Sequence, residues 1–410
     1  YAKKQIFSEI LKINDLAREE IKKQFFLNPF SGSKIREIYS ILTDTIISLI
    51  SETCIKIIHR VPNPTKYQKL SILAVGGYGR NEMAPYSDVD LLFLTPYKQT
   101  AWGESVIETI LYSLWDLKFK VGYSVRTIQE CIRLGRNDIK VRTSLLEKRF
   151  LFGDRKLEKE LDQKLKTDLF KNSFGEFLEA KLKERSQRHF RQGGSRYVLE
   201  PNVKEAKGGL RDLHTLYWIL KYLYGNYSKS EYIENNVFNE EELNKFSLAE
   251  NFLWSIRCTL HLISKRAEEN LNFNNQIEVT KTLKYQPYKG LKAVEVFMKE
   301  YFYYAKIVGD LTRIFLSSLE EKHLKNKPNI GKNIRNILEF GFGYKKNILP
   351  EDFIIKFGRL NISENEKFLN NRINLLRLFY YSSSLQTLIH PNALRLVASN
   401  LSLVNEKFKN

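Results

Sequence analysis

Cysteine is scarce in this sequence of 410 residues, which contains only Cys54, Cys131 and Cys258. The number is odd, the three positions are far apart, and none forms a Cys-x-x-Cys pair. This pattern argues against a disulfide framework and against a zinc site built on cysteine. It is typical of a protein in a reducing compartment, and we predict a cytoplasmic location.

Long uncharged apolar runs are absent as well. The most apolar stretch near the amino terminus, Ile41–Ile58, is interrupted by Asp44, Glu52 and Lys56. Because a transmembrane helix needs about 20 consecutive, mostly apolar residues, this stretch predicts a buried helix, and no membrane partner is expected. The sequence has no signal-peptide pattern and opens with Tyr1 instead of methionine, so we expect an excerpt of a longer chain.

Acidic residues are outnumbered, with 47 Asp and Glu against 66 Lys and Arg and a formal charge of +19. Such an excess suits a polyanionic partner: nucleic acid, nucleotide phosphates or an acidic protein surface. The acids are dispersed among the bases, however, which favours a solvated lysine-rich surface over a dedicated nucleic-acid groove. No motif that alternates aromatic and basic residues for base stacking is present. The sequence therefore disfavours a nucleic-acid partner.

The length and the 43% hydrophobic content predict two or three packed units. Hydrophobic spacing predicts an α+β fold: a helical lead-in at 1–65, a mixed α/β core at 66–155, a large all-α domain at 156–345 and a helical tail at 346–410. A basic connector with proline and glycine, Lys325–Asn333, precedes the tail.

Periodicity also predicts individual elements of these parts. Short apolar runs predict strands at Ser71–Val75, at Val89–Thr95 and near Phe119–Thr127. Apolar residues at intervals of three and four predict a series of packed helices. These are a helix carrying the stripe Val106 to Leu117, and helices over Leu213–Tyr224, Leu248–Arg266 and Val294–Leu319.

Two aspartates lie one residue apart in the second predicted strand, within AVGGYGRNEMAPYSDVDLLFL at 74–94. Alternate side chains of a strand face the same way, about 7 Å apart at the backbone, so Asp88 and Asp90 should point together. Unpaired carboxylates beside an apolar run are costly, and magnesium with substrate phosphates would neutralise them. We predict that the pair holds one or two Mg²⁺ ions.

A glycine turn precedes the carboxylate pair. Gly76 and Gly77 follow the first strand and have no side chains, so backbone N–H groups there can approach phosphates. Taken alone, the Gly-Gly turn or the Asp-x-Asp pair could be ordinary turn or helix-capping chemistry. Together, a strand, Gly-Gly, ten residues and Asp-x-Asp in a second strand resemble the nucleotidyltransferase superfamily built on the polymerase-β palm. The predicted nucleotide-binding residues are Gly76, Gly77, Tyr78, Gly79, Arg80, Ser87 and Arg126.

Further motifs make the resemblance more specific. They are, in order along the chain, LWDLKFKVGYSVRTIQEC, TSLLEKRFLFGD, YVLEPNVKEAKGGLRDLHTLYWI, LNFNNQIEV and EVFMKEYFYYA. In this order they resemble the bacterial PII uridylyltransferase family, whose members attach UMP to a tyrosine of the nitrogen-signalling protein PII and can remove it. The resemblance implies a metal-dependent transfer of UMP from UTP to PII, with Asp88 and Asp90 as the catalytic and metal-binding residues.

One departure concerns the third carboxylate that many superfamily members carry on the next strand. This chain has VGYSVRT there, with Ser124 and no acid. Nearby acids are interpreted as surface or helix-capping residues: Asp116, Glu130 and Glu147. Arg126 could reach a phosphate or form a simple ion pair. The sequence leaves the third metal ligand open.

A second glycine-rich stretch, KEAKGGLRDLH at 204–214, ends a segment with nine basic residues against three acids over 181–211. It could be an ordinary turn and helix cap. Alternatively, it folds over the active-site cleft and brings Lys204, Lys207 or Arg211 to the nucleotide or to an acidic patch of the protein substrate.

The resemblance also implies a UMP-removing hydrolase domain and glutamine-sensing domains in the full-length family. Such hydrolases need a His-Asp dipeptide, and none of the six histidines here is followed by aspartate. We therefore expect this chain to lack the removing activity. Three alternatives stay open: an adenylyltransferase acting on a protein, an RNA nucleotidyltransferase, and a catalytically degenerate binding module. Uracil contacts, the docking face and the oligomeric state are not predicted.

Overall fold

The computed structural model describes residues 2–97, 100–225, 229–234, 237–324, 349–356, 359–385 and 389–403. The chain divides into two units, the first formed by 1–232 with 240–308 and the second by 233–239 with 309–410. The predicted connector Lys325–Asn333 lies outside the described residues.

The lead-in of the first unit is helical, as the sequence predicts. Helix α1 is Ala2–Leu27, and α2 is Gly32–Thr53, which continues into a π-helical turn at Cys54–Ile58. Ile46, Ile47 and Ile50 are at most 1% exposed, whereas Ile41, Leu49 and Ile57 are exposed. The predicted helix is therefore confirmed, but only part of it is buried. No helix in the described ranges combines the length and apolarity needed to traverse a lipid bilayer.

A four-stranded sheet forms the centre of the first unit, with the strand order β3-β2-β1-β4. Strand β1 is antiparallel to β2 and β4, whereas β2 and β3 are parallel and are connected by helix α4. The sheet confirms the predicted α+β class, with β2 at its predicted limits. The elements are β1 (Ser71–Ala74), the turn α3 (Gly76–Gly79), β2 (Val89–Thr95), α4 (Ala101–Asp116), β3 (Val121–Thr127) and β4 (Arg149–Gly153).

Both faces of the sheet are covered. Leu91 and Phe93 pack into a core with α1, α2 and α4. Leu92 and Leu94 pack into a second core, formed with α5 (Ile128–Asn137), α6 (Ile139–Leu146) and α7 (Arg155–Lys164). Because side chains alternate along a strand, Asp90 belongs to the same face as Leu92 and Leu94. It is a half-buried acid in a strand whose other residues are buried.

The remaining part of the first unit is helical, which confirms the predicted packed helices with small changes at their ends. A π-helical turn at Leu165–Phe170 follows α7. Trp254 and Phe297 are fully buried in the core that also contains residues of α2. The helices that begin in this unit are α8 (Phe174–Arg191), α9 (Leu210–Tyr224), α10 (Lys229–Glu234), α11 (Glu240–Ser264), α12 (Phe273–Thr282) and α13 (Ala293–Leu324).

The described part of the tail contains more than the predicted helices. An antiparallel hairpin of β5 (Phe353–Lys356) and β6 (Arg359–Ile362) precedes α14 (Asn365–Asn370), α15 (Asn374–Ser384) and α16 (Pro391–Ser399). Strands of four residues are too short for a clear alternation of polar and apolar positions, so the sequence pattern did not separate them from helix. The hairpin and these helices share a hydrophobic core built around Phe353, Leu360, Phe368, Leu375 and Leu378.

Candidate active site

The glycine turn after β1 brings the backbone against the carboxylate of Asp90. Gly76 has a φ of +60°, a left-handed conformation that glycine adopts without the strain of a side chain. A Cβ atom at this position would lie 2.9 Å from Oδ2 of Asp90. The Val75 N–H also donates to the Asp90 carbonyl at 3.0 Å. Residue 76 therefore has to be small as well as left-handed.

The two predicted carboxylates lie at the start of β2. Asp88 is exposed and directly precedes the strand, and Asp90 is half-buried within it. Neither carboxylate has a hydrogen-bond or ion-pair partner among the described residues. Burial and the charge of Asp88 raise the pKa of Asp90, although Lys204 opposes the shift. The pair therefore carries a repulsion that a bound cation would relieve.

The adjacent strand β3 has no acidic residue opposite Asp90. Strand β3 places Gly122 opposite Asp90, and a Cβ atom there would lie 2.6 Å from Oδ1 of Asp90. Within the part of the chain that the structure describes, no group of three or more His, Cys, Asp or Glu residues could hold a metal ion. The chain thus offers two hard oxygen donors, which fits Mg²⁺ because that ion usually keeps waters and substrate phosphates as its other ligands.

Two cavities adjoin Asp90, and both are lined by Asp90 and Gly76. The larger has a volume of about 600 Å³ and is bordered by cationic side chains from three elements, Arg126, Lys140 and Lys181. The smaller has a volume of about 270 Å³ and is bordered by Asp88 together with the side chains of the second glycine-rich stretch and of α11.

The structure brings most of the predicted residues to these cavities. Arg126 lines the larger cavity and Arg211 lines both. The predicted residues that line the smaller cavity and not the larger one are Gly77, Tyr78, Arg80, Ser87, Asp88 and Lys204. Gly79 packs instead against the backbone carbonyl of Glu147, which leaves no room for a Cβ atom at position 79. Lys207 donates to the Gly194 carbonyl at 3.3 Å.

Two predicted donors of the first loop have their side chains engaged within the protein. The Tyr78 hydroxyl donates to Asp44 at 2.6 Å, and the side chain is 1% exposed. Arg80 forms ion pairs with Glu82 and Glu147. These contacts fix the glycine turn against its surroundings, so any contribution of Tyr78 to a ligand would come from its backbone.

Several cavity residues were not predicted from the sequence. Glu147 is 2% exposed, lines both cavities and accepts hydrogen bonds from Arg80 and Trp218. The interpretation of Glu147 as a surface acid is therefore wrong, although it does occupy the C-cap position of α6. The other two acids are confirmed, since Glu130 forms a capping box with Thr127 and Asp116 is exposed. Lys181, His214 and Trp218 also line the cavities.

A buried carboxylate, Asp212, holds the second glycine-rich stretch in place. It is fully buried in the first turn of α9 and accepts from the Gly208 N–H at 2.8 Å and from His189 at 2.9 Å, with Arg185 and Arg188 as ion-pair partners. Burial would raise the pKa of Asp212, but the hydrogen bond from His189 and the two arginines outweigh it and hold that pKa well below its usual value. This side chain therefore joins α8 to the glycine-rich stretch that carries Lys204 and Arg211.

Comparison with known proteins gives matches over two segments of the chain. Residues 59–151 match the nucleotidyltransferase domain family, and residues 176–316 match the family described as GlnD PII-uridylyltransferase. The chain is therefore similar to these two families over the matched residues. Its site of glycine turn, carboxylate pair and cationic cavity lies in the nucleotidyltransferase domain and the segment that follows it.

Individual relatives agree with these matches and are named bifunctional uridylyltransferase/uridylyl-removing enzymes. One from Ruegeria pomeroyi is 46% identical over 398 residues, which are 97% of this chain and 43% of the relative. One from Cereibacter sphaeroides is 47% identical over 389 residues, 95% of this chain and 41% of the relative. One from Rhodopseudomonas palustris is 42% identical over 395 residues, which are 96% of this chain and 42% of the relative. The chain therefore spans less than half the length of these relatives.

Proposed function

We propose that this chain transfers UMP from UTP to a tyrosine of the PII protein and releases pyrophosphate. The observation that carries the proposal is the pair of Asp88 and Asp90, which lacks partners among the described residues and faces a glycine turn. In a nucleotidyltransferase domain, such a pair is suited to bind a cation together with a nucleotide. The uridylyltransferase relatives support UTP as the nucleotide.

The residues of the larger cavity suit the polyphosphate of UTP. Arg126, Lys140, Lys181 and Arg211 line it and can neutralise charge on the nucleotide and on the leaving pyrophosphate. The backbone of Gly76 and Gly77 can approach the phosphates closely because no side chain intervenes. A half-buried site strengthens these electrostatic contacts by excluding water.

Asp88 and Asp90 would hold Mg²⁺. The bound ion would polarise the transferred phosphoryl group and help to neutralise the leaving group. The raised pKa of Asp90 supports this assignment, because a carboxylate that repels its neighbour gains most from a shared cation. The proposal covers transfer only, since the chain contains no His-Asp dipeptide for a hydrolase of the removing kind.

Labelled nucleotides test the proposal directly. We expect the chain, incubated with Mg²⁺ and PII, to transfer label from α-labelled UTP to a PII tyrosine, and to do so far better than from ATP. Chelation of Mg²⁺ should abolish the transfer. Label on PII only from ATP would favour an adenylyltransferase, and label only on added RNA an RNA nucleotidyltransferase. Binding of UTP without transfer to any acceptor would favour a degenerate module.

A further inference from the structure

A buried imidazole borders the smaller cavity and has no role in the proposal so far. His214, on α9, is 4% exposed and lines this cavity together with Asp88 and Asp90. Its Nε2 lies 3.1 Å from Oε2 of Glu82. Neither ring nitrogen makes a hydrogen bond of good geometry with the described residues, and Nδ1, unlike Nε2, has no ion-pair contact either. Because native proteins rarely leave a buried polar atom unsatisfied, this nitrogen is a candidate for contact with a ligand.

The surroundings of His214 favour one protonation state. Burial and the charge of Arg80 hold the pKa of His214 well below its usual value, against the opposing effect of Glu82. Arg211 adds a further positive charge. The imidazole is therefore neutral and carries one N–H group. The Glu82 carboxylate next to Nε2 favours the proton on that nitrogen, which leaves Nδ1 with a free lone pair.

The two cavities differ in ways that suit two substrates. A volume of about 600 Å³ is within the roughly 300–1,000 Å³ typical of sites for drug-sized ligands, and it is the cavity lined by Arg126, Lys140 and Lys181. The smaller one, about 270 Å³, suits a single side chain. In phosphoryl transfer the attacking and leaving oxygens lie on opposite sides of the phosphorus. Two cavities that share Asp90 in their lining can hold the attacking and the leaving oxygen in separate spaces.

We propose that the smaller cavity receives the acceptor phenol and that Nδ1 of His214 takes its proton. The inference rests on the proposed transfer of UMP to a tyrosine. The phenol oxygen forms a bond to the α-phosphorus of UTP, and the bond from that phosphorus to the bridging oxygen of the β-phosphate breaks. Pyrophosphate leaves with the electron pair, and the phenol proton passes to His214 and then to solvent. Glu82 acts as a positioning residue for the imidazole.

A carboxylate at the same cavity is less suited to accept the proton. Oε2 of Glu269 is also buried without a hydrogen-bond partner among the described residues. Burial would raise the pKa of Glu269, but the nearby His261, whose Nε2 lies 3.8 Å from Oε1, and the charges of Arg257 and Lys204 hold it well below its usual value. Glu269 therefore stays ionised, and because the ordinary pKa of a glutamate carboxyl, about 4.3, is lower than that of an imidazole, about 6.5, it starts as the weaker base. It can accept a hydrogen bond from the phenol before the proton moves.

Substitution of His214 tests the inference in the whole chain with Mg²⁺, UTP and PII. The variants are His214→Gln and His214→Ala, with His59→Gln as the matched control, because His59 bonds to Thr109 and does not line either cavity. General acid–base catalysis contributes roughly 10²–10⁴-fold, so we expect a loss of that order in kcat for both His214 variants. UTP binding, measured separately by equilibrium dialysis, should change little.

Three readouts distinguish catalysis from a structural role. Added imidazole should restore part of the activity of His214→Ala, since it can enter the space left by the side chain. The acidic limb of the pH profile of kcat/KM should change in both variants. Glu82→Gln should lower kcat less than His214→Gln does. If His214→Ala fails to fold, the kcat and pH profile of His214→Gln decide.

The contrary results are equally distinct. A His214→Gln variant that transfers UMP at the wild-type rate would overturn the inference and leave the proposed function standing. So would a loss of activity that imidazole does not relieve, with an unchanged pH profile. An unmodified chain that binds UTP but transfers nothing to PII would overturn the proposed function, and the inference with it.

Discussion

The first unit contains two aspartates, Asp212 and Asp90, that differ in their burial and in their hydrogen-bond partners. Asp212 is fully buried, and its oxygens are surrounded by Gly208, His189, Arg185 and Arg188. Asp90 is half-buried beside Asp88, and the structure describes no hydrogen-bond or ion-pair partner for its carboxylate. The pKa of Asp212 lies well below its usual value, and that of Asp90 lies above it.

The contrast indicates which acid supports the fold and which is available to a ligand. A buried carboxylate with several donors stabilises the elements it joins, and removal of one partner from such a group is costly. A carboxylate without partners contributes no such stability and keeps its oxygens available. We therefore expect substitutions at the two places to separate activity from stability.

The largest expected effect is that of Asp90→Asn on activity. A metal ion contributes several kcal/mol to transition-state stabilisation, and each 1.36 kcal/mol is tenfold in rate, so transfer of UMP should fall about 10²–10⁴-fold. The free energy of unfolding in denaturant should not fall, because the substitution removes an unfavourable charge. A variant that unfolds more easily and keeps its activity would reverse the roles assigned to the two acids.

Next in size is the effect of Asp212→Asn on stability. Breaking a buried ion pair by removing one partner costs about 3–5 kcal/mol, which denaturant unfolding can measure. The matched control is Asp116→Asn, an exposed acid at the end of α4, which should change the free energy of unfolding by no more than about 0.5 kcal/mol. Equal effects of the two substitutions would show that the Asp212 cluster does not stabilise the fold.

A smaller effect is expected from alanine at two left-handed glycines. Gly76 has a φ of +60° and Gly194 a φ of +68°, and Gly194 has open space where a Cβ would be. Each substitution should cost about 1–2 kcal/mol of stability for the left-handed conformation. Only Gly76→Ala should also lower UMP transfer, because its Cβ would press on the Asp90 carboxylate. Equal activities of the two variants would argue against the contact between the turn and the carboxylate.

The smallest effects concern the pH dependence of stability in the metal-free chain. Because its folded-state pKa is raised, Asp90 contributes stability below its unfolded pKa of about 3.9 and loses it as the pH rises through the folded value. The stability of Asp90→Asn relative to wild type should therefore increase as the pH rises. The effect of Asp212 has the opposite sign, because its folded-state pKa is lowered. Its contribution to stability is present above its unfolded-state pKa and is lost as the pH falls through its folded-state pKa. Parallel pH profiles of the two variants would contradict the assignment.

The sequence predicted the parts of the site that lie close together in the chain. Strand β2 has its predicted limits at Val89–Thr95, since an apolar run bounded by polar loops is a strong local signal. Asp88 and Asp90 belong to that same local pattern. The short strand β4 was not predicted, because five residues between helices give no clear periodicity.

The residues that the sequence did not identify are brought to the site by tertiary packing. Glu147, Lys181 and Trp218 come from separate elements and meet at the cavities, and no local pattern marks any of them. The side chains of the glycine turn after β1 were also not placed correctly by sequence position alone. Tyr78 and Arg80 lie beside Gly76 in the sequence, but their side chains bond to Asp44 and to the acids Glu82 and Glu147. Proximity in sequence gives the neighbourhood of a side chain and not its direction.

The most direct test of the account is the binding of UTP to the chain by isothermal titration calorimetry, with and without Mg²⁺. We predict that UTP binds in the presence of Mg²⁺, that chelation weakens this binding strongly, and that a variant with both Asp88→Asn and Asp90→Asn binds UTP weakly and without regard to the ion. Binding that is equally tight without Mg²⁺, or unchanged in the double variant, would contradict the claim that these two carboxylates hold a metal-bound nucleotide.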